Sequence, residues 1–111
     1  MPAMPTAVRP SKIPHPEADA IELATVMRTV GDPLRLAIVR LLADGAEQSC
    51  TALQDRLGLP PSTGSYHLRL LREAGVTRTR PAGTQRYISL RRDDLDRRFP
   101  GLVDVLIRDE R

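Results

Sequence analysis

Ser62, Thr63, Ser65, Tyr66 and Arg69 fall within one short stretch, and most of them share a face if that stretch is helical. Grouped hydroxyls and a guanidinium can donate hydrogen bonds to phosphate oxygens or to the edges of base pairs. A second group follows at Arg78, Arg80, Thr84, Gln85 and Arg86, again donors and cations. Chemistry of the bond-breaking kind has no such grouping. The two histidines, His15 and His67, are far apart, and no nucleophile–base pair or Gly-rich phosphate loop is present. Cys50 is the single cysteine, so an internal disulfide, a CxxC pair and zinc-type spacing are all excluded. These residues imply recognition of a polymer, with no enzyme activity, cofactor or metal.

Charge placement sharpens that implication. The 111 residues carry 17 basic and 14 acidic groups, net +3, and all but Lys12 of the basic groups are arginine. Residues 1–61 and 93–111 are each net negative. Between them, residues 62–92 hold seven arginines (69, 72, 78, 80, 86, 91 and 92) against Glu73 alone. Tyr66, Tyr87 and Phe99 are the full aromatic set, too few for a surface that stacks single-stranded bases. The predicted partner is therefore double-stranded DNA. No apolar run approaches the roughly 18 residues that cross a bilayer, and the N-terminus lacks a secretory pattern, so a cytoplasmic protein without membrane contact is expected.

The elements that must hold these groups follow from periodicity and punctuation. Pro2, Pro5, Pro10, Pro14 and Pro16 predict a flexible arm over residues 1–16, followed by one folded domain over 17–111. Ile21, Ala24, Met27 and Val30 recur at helical spacing and predict a first helix over about 17–30, ended by a left-handed Gly31. Asp32-Pro33 is a helix start, and Leu34, Ile38 and Leu41 line the inner face of a second helix reaching about Ala43. Ser49 caps a third helix carrying Leu53 and Leu57. Gly58-Leu59-Pro60 breaks it, and a fourth helix runs from Pro61 to Ala74-Gly75 with Leu68 and Leu71 inward. Two helices joined by so tight a turn form a helix-turn-helix. His67 is expected to turn away from Tyr66 and pack beside Leu68. Gly64 has two open explanations, close approach to a duplex or packing against the preceding helix.

After Gly75 the pattern becomes extended: 76–80 and 85–90 read as strands around a turn at Pro81-Ala82-Gly83-Thr84. The fold class is mainly α with a two-stranded β-wing, in the order α-α-α-α-β-β-α. The last helix starts near Asp93-Asp94, is interrupted at Pro100 and is apolar around most of its circumference at Leu102, Val103, Val105, Leu106 and Ile107. A small domain cannot bury so wide a face alone. With Ile21, Leu23, Ala24 and Met27 on the first helix, residues Leu102, Val103, Leu106 and Ile107 predict a homodimer interface.

Gly31–Ile38, Leu57–Leu59, Ser62–Leu68 and Leu70–Val76 together resemble the ArsR/SmtB winged-helix repressors over about residues 20–107. The resemblance implies a dimeric transcriptional regulator that binds operator DNA and leaves it when an inducer binds. Metal-sensing members place a Cys-x-Cys pair at the start of the third helix or His and acidic ligands on the last. Here those places hold Ser49-Cys50-Thr51, and Asp104, Asp109 and Glu110 without histidine, so a non-metal signal such as a small-molecule effector is expected. Gln54 and Gly64 stand where the family usually has alanine and valine, which implies looser packing between the two helices. The competing expectation is a winged-helix protein-interaction module without specific DNA binding.

Overall fold

The computed structural model describes residues 13–108. Most of the predicted arm, and Asp109 and Glu110, therefore lie outside the described residues. A 3-10 turn at Ala18–Ala20 precedes α1 (Leu23–Val30), α2 (Pro33–Leu41), a two-residue strand β1 (Gln48–Ser49), α3 (Cys50–Leu57) and α4 (Pro61–Glu73). The hairpin β2 (Thr77–Ala82) and β3 (Gln85–Leu90) follows, then α5 (Arg92–Arg98) and α6 (Leu102–Ile107). The sheet is antiparallel with order β1-β3-β2, so β3 is central. This is a winged helix-turn-helix, with one strand and one helix more than the sequence predicted.

Start signals act as their chemistry requires. Asp32 Oδ2 accepts from the N–H groups of Leu34 (2.9 Å) and Arg35 (3.0 Å), and Pro33 takes the first helical position. Ser49 Oγ accepts from Ala52 N–H at 3.0 Å. Caps of this kind each contribute about 1 kcal/mol.

The predicted first helix is divided. Ile21 is extended (ψ 124°), and α1 begins only at Leu23. Burial explains the break: the Ile21 side chain is buried against Gly75, where an added Cβ would sit 2.5 Å from Ile21 Cγ1. Gly75 has φ +87°, a backbone state glycine favours and one that ends α4. Gly31, by contrast, is right-handed (φ −71°), so the expected left-handed cap is absent there. Val26 and Val30 form the inner stripe of α1 and Met27 points out, which reverses the predicted orientation of that helix in part. The core continues through Ile38, Leu42, Leu53, Leu71, Ile88 and Leu95.

Residues 13–16 are not part of a free arm. The outer edge of β2 presents the Thr79 N–H, which donates to His15 Nε2 at 3.0 Å. His15 Nδ1 then donates to the Ile13 carbonyl at 2.8 Å, and Arg91 Nη1 donates to the Pro16 carbonyl at 2.8 Å. Pro81, two residues on along the same edge, has no N–H to offer. Pro81 and Ala82 thus belong to β2, and the predicted four-residue turn contracts to Gly83-Thr84. The C-terminal segment forms two helices because Phe99–Gly101 breaks it, with Gly101 left-handed at φ +90°.

Candidate nucleic-acid interface

The turn between α3 and α4 is short because Gly58 is left-handed (φ +65°) and the Leu59 N–H returns to the Gln54 carbonyl at 2.9 Å. Pro60 is extended, and the chain re-enters a helix at Pro61. Leu68 and Leu71 anchor α4 inward, and Gly64 is buried towards α3, so packing is the reason for that glycine. Ser62, Ser65, Tyr66 and Arg69 face solvent, with Thr63 half-buried. The Arg69 guanidinium carbon lies 5.6 Å from the Tyr66 ring centroid, a cation–π pair that keeps both side chains on the surface. His67 does not turn from Tyr66 as predicted. Their rings meet edge-on at 5.2 Å and 67°, while His67 Nδ1 lies 3.1 Å from Arg35 Nη1.

Strand alternation gives the wing two unlike faces. Thr77, Thr79, Ile88 and Leu90 point inward, and Arg86 continues that row to the exposed end of β3. There Arg86 meets α4: Ser62, Ser65, Tyr66, Arg69, Arg72 and Arg86 line a shallow cleft of about 450 Å³. Beneath it a cavity of about 60 Å³ reaches Cys50, whose half-buried thiol is pushed above its ordinary pKa by burial. Thr84 and Gln85 are exposed at the hairpin tip beside Gly83.

Arg78 and Arg80 stand on the other face and are not brought to the cleft. Arg78 pairs with Asp94 at 3.1 Å. Arg80 holds Glu47 through two hydrogen bonds of 2.8 and 3.0 Å and lies over the Tyr87 ring. That hydrogen-bonded guanidinium lowers the Glu47 carboxyl below its ordinary range, and Arg91 does the same to Asp94. Arg92 pairs with Asp96 and Asp104. The predicted positive segment is thus largely neutralised by carboxylates from outside it. Among the described residues Arg72 and Arg86 have no carboxylate within 4 Å, and Arg69 has only an exposed contact with Glu73 at 3.5 Å. Arg72, whose buried Nε has no partner among the described residues, was not among the predicted site residues. Its signal was there: Ser65, Arg69 and Arg72 follow i, i+4, i+7 spacing.

Of the predicted dimer residues, Leu23 and Met27 are about half exposed and Ala24 is exposed. Leu102, Leu106 and Ile107 are half-buried, and Val105 beside them is 60% exposed. Ile21 and Val103 are corrections. Both are fully buried in the chain's own core and have no surface to share. No helix among the described residues is long and apolar enough to cross a membrane.

Known proteins carry the same arrangement. A helix-turn-helix domain family matches residues 30–80. The uncharacterized HTH-type transcriptional regulator YceK of Bacillus subtilis is 38% identical over 84 residues, 75% of this chain and 84% of that one. The homodimeric winged helix-turn-helix DNA-binding domain Mb0332 of Mycobacterium bovis, described as a possible ArsR-family transcriptional regulator, has a TM-score of 0.64 at 31% identity. The alignment covers 76% of each chain. The transcriptional repressor BigR of Xylella fastidiosa has a TM-score of 0.61 at 29% identity, covering 76% of this chain and 81% of its own. The helix-turn-helix, the wing that follows it and these likenesses together establish the family: the chain belongs to the ArsR-type winged helix-turn-helix transcriptional regulators.

Proposed function

We propose that this protein is a cytoplasmic, homodimeric repressor that binds operator DNA in a sequence-specific manner and leaves it in response to a non-metal effector. The observation that carries this reading is the convergence of Arg69, Arg72 and Arg86 with Ser62, Ser65 and Tyr66 on one face. Two of those arginines keep their charge uncompensated by carboxylates among the described residues. A helix fits the major groove, about 12 Å wide, with its N-terminal residues at the base edges. Ser62, Thr63, Ser65, Tyr66 and Arg69 take that place. Arg72 and Arg86 bind flanking phosphates, while Thr84 and Gln85 at the wing tip reach the adjacent groove or backbone.

The exposed apolar residues of α1 and α6 support dimer formation, as does the homodimeric state of the Mycobacterium bovis relative. Residues 17–111 serve as the DNA-binding and dimerisation unit. The chain acts by binding and has no catalytic role. An effector must bind the DNA-competent and DNA-incompetent dimers with different affinity to shift their balance.

The test is selection of genomic fragments by the purified chain, followed by gel-shift titration of a selected duplex over a range of salt. Tight binding to a repeated, near-palindromic site that weakens steeply with salt is expected. Failure to prefer any duplex, with capture of protein alone, would establish the interaction-module alternative.

A further inference from the structure

Arg35 sits in the first turn of α2 with its backbone N–H held by Asp32 Oδ2 at 3.0 Å. Its guanidinium spans two other helices. Nε donates to the Thr29 carbonyl in the last turn of α1 at 2.6 Å, and Nη1 donates to His67 Nδ1 on α4 at 3.1 Å. A guanidinium only donates, so His67 Nδ1 is the acceptor and the ring proton sits on Nε2. The His67 ring meets Tyr66 edge-on, and Tyr66 lies under Arg69. A line of direct contacts therefore runs from the end of α1 to the exposed face of α4. Neither Arg35 nor His67 lines the cleft that holds Ser62, Ser65, Tyr66, Arg69, Arg72 and Arg86.

The other end of the line matters as much. α1 carries the outward Leu23, Ala24 and Met27, and Thr29 follows them on the same short helix. A second Thr29 bond, from its hydroxyl to the Thr25 carbonyl at 2.7 Å, ties its turn to the rest of α1. Whatever shifts α1 also shifts the Thr29 carbonyl, and the planar fork of Arg35 passes that shift to His67. A lysine offers no fixed fork to hold both acceptors at once.

We propose that Arg35 and His67 are positioning residues for operator recognition, fixing the placement of Tyr66 and Arg69 according to the packing of α1 without touching DNA. The proposal rests on the DNA-binding function above and adds to it the route by which the α1 surface governs that function.

The experiment compares the full-length chain with Arg35→Lys, His67→Phe, their combination and His67→Asn, which keeps an acceptor near the Nδ1 position. Each binds the genomically selected duplex and a scrambled duplex of equal composition, with thermal melting by circular dichroism to verify folding. Arg35→Lys and His67→Phe should each weaken the selected duplex about tenfold, within the usual range of coupling between sites. Binding to the scrambled duplex should stay within about twofold. His67→Asn, which keeps the acceptor for Arg35 but lacks the ring that meets Tyr66, should weaken the selected duplex as much as His67→Phe. The combination should be no weaker than either single variant, because both break one joint. Equal losses on both duplexes, additive losses or unchanged selectivity would overturn the proposal. A wild-type chain that does not discriminate between the duplexes would overturn the DNA-binding function itself.

Discussion

The side chain of Gln54 on α3 occupies the space that a side chain at Gly64 on α4 would need. A Cβ built on Gly64 would lie 2.4 Å from Gln54 Cγ and 2.8 Å from its Nε2, and that amide nitrogen donates to the Pro61 carbonyl at 3.4 Å. The two departures from the family's usual alanine and valine are therefore complementary. Volume missing at position 64 is supplied from position 54, and the predicted loosening of the helix-turn-helix does not follow.

Gly64→Ala should lower stability by about 1–3 kcal/mol through overcrowding, against a helix-propensity gain of about 1 kcal/mol. Gln54→Ala combined with Gly64→Ala should regain most of that loss. Chemical denaturation of the two single variants and the double checks it. Additive effects would show that the two residues do not share the space.

The uneven pairing of the arginines predicts an uneven mutational map. Arg72→Ala and Arg86→Ala should each reduce the slope of log affinity against log salt by about 1, the loss of one phosphate contact. Arg78→Ala and Arg80→Ala should change it far less, since Asp94 and Glu47 already compensate those charges. Gel-shift titrations at several salt concentrations separate the two pairs.

His15 accepts from Thr79 N–H only while Nε2 is unprotonated. Burial lowers its pKa below the ordinary 6.5, opposed by the Ile13 hydrogen bond and reinforced by Arg91, Arg72 and Arg78. A histidine held neutral in the fold contributes its full stability above pH 6.5. That contribution falls as pH drops, because the unfolded chain then binds the proton first. His15→Gln keeps an acceptor that does not titrate, so it should lose less melting temperature than wild type between pH 7.5 and about 5.5. Identical pH profiles would refute the role.

Leu23→Glu with Val105→Glu should leave the fold intact, since these side chains are 46% and 60% exposed, and should produce a monomer in sedimentation. Ile21→Ala and Val103→Ala should instead lower the melting temperature, at a cost of about 1–5 kcal/mol each for core truncations. A double glutamate variant that remains dimeric would place the interface elsewhere.

Local chemistry was the legible part of the fold. Asp32-Pro33, Ser49 and Gly58 mark helix ends through groups a few residues apart, and the switch to extended pattern after Gly75 marks the wing. The parts that were hidden depend on residues distant along the chain. Ile21 leaves the helix because Gly75 offers it a notch, and β1 is two residues whose only strand signal is its pairing with Tyr87 and Ile88. The charge of the wing was misjudged for the same reason. Counting along residues 62–92 cannot show that Glu47 reaches Arg80 or that Asp94 serves Arg78 and Arg91. That Ser62, Ser65, Tyr66 and Arg69 share one solvent face was legible because they lie on one helix, and Arg72 was within reach of the same periodicity.

The imidazole at Thr79 and the imino nitrogen of Pro81 have a meaning beyond the single chain. An edge strand with free N–H groups invites the strand of a neighbour and can extend a sheet from copy to copy without end. On β2 one such donor is already occupied by His15, and another is missing at Pro81. That edge is thereby closed to strand pairing with a copy, so the dimer proposed through α1 and α6 has no rival there, and assembly is steered away from an open stack.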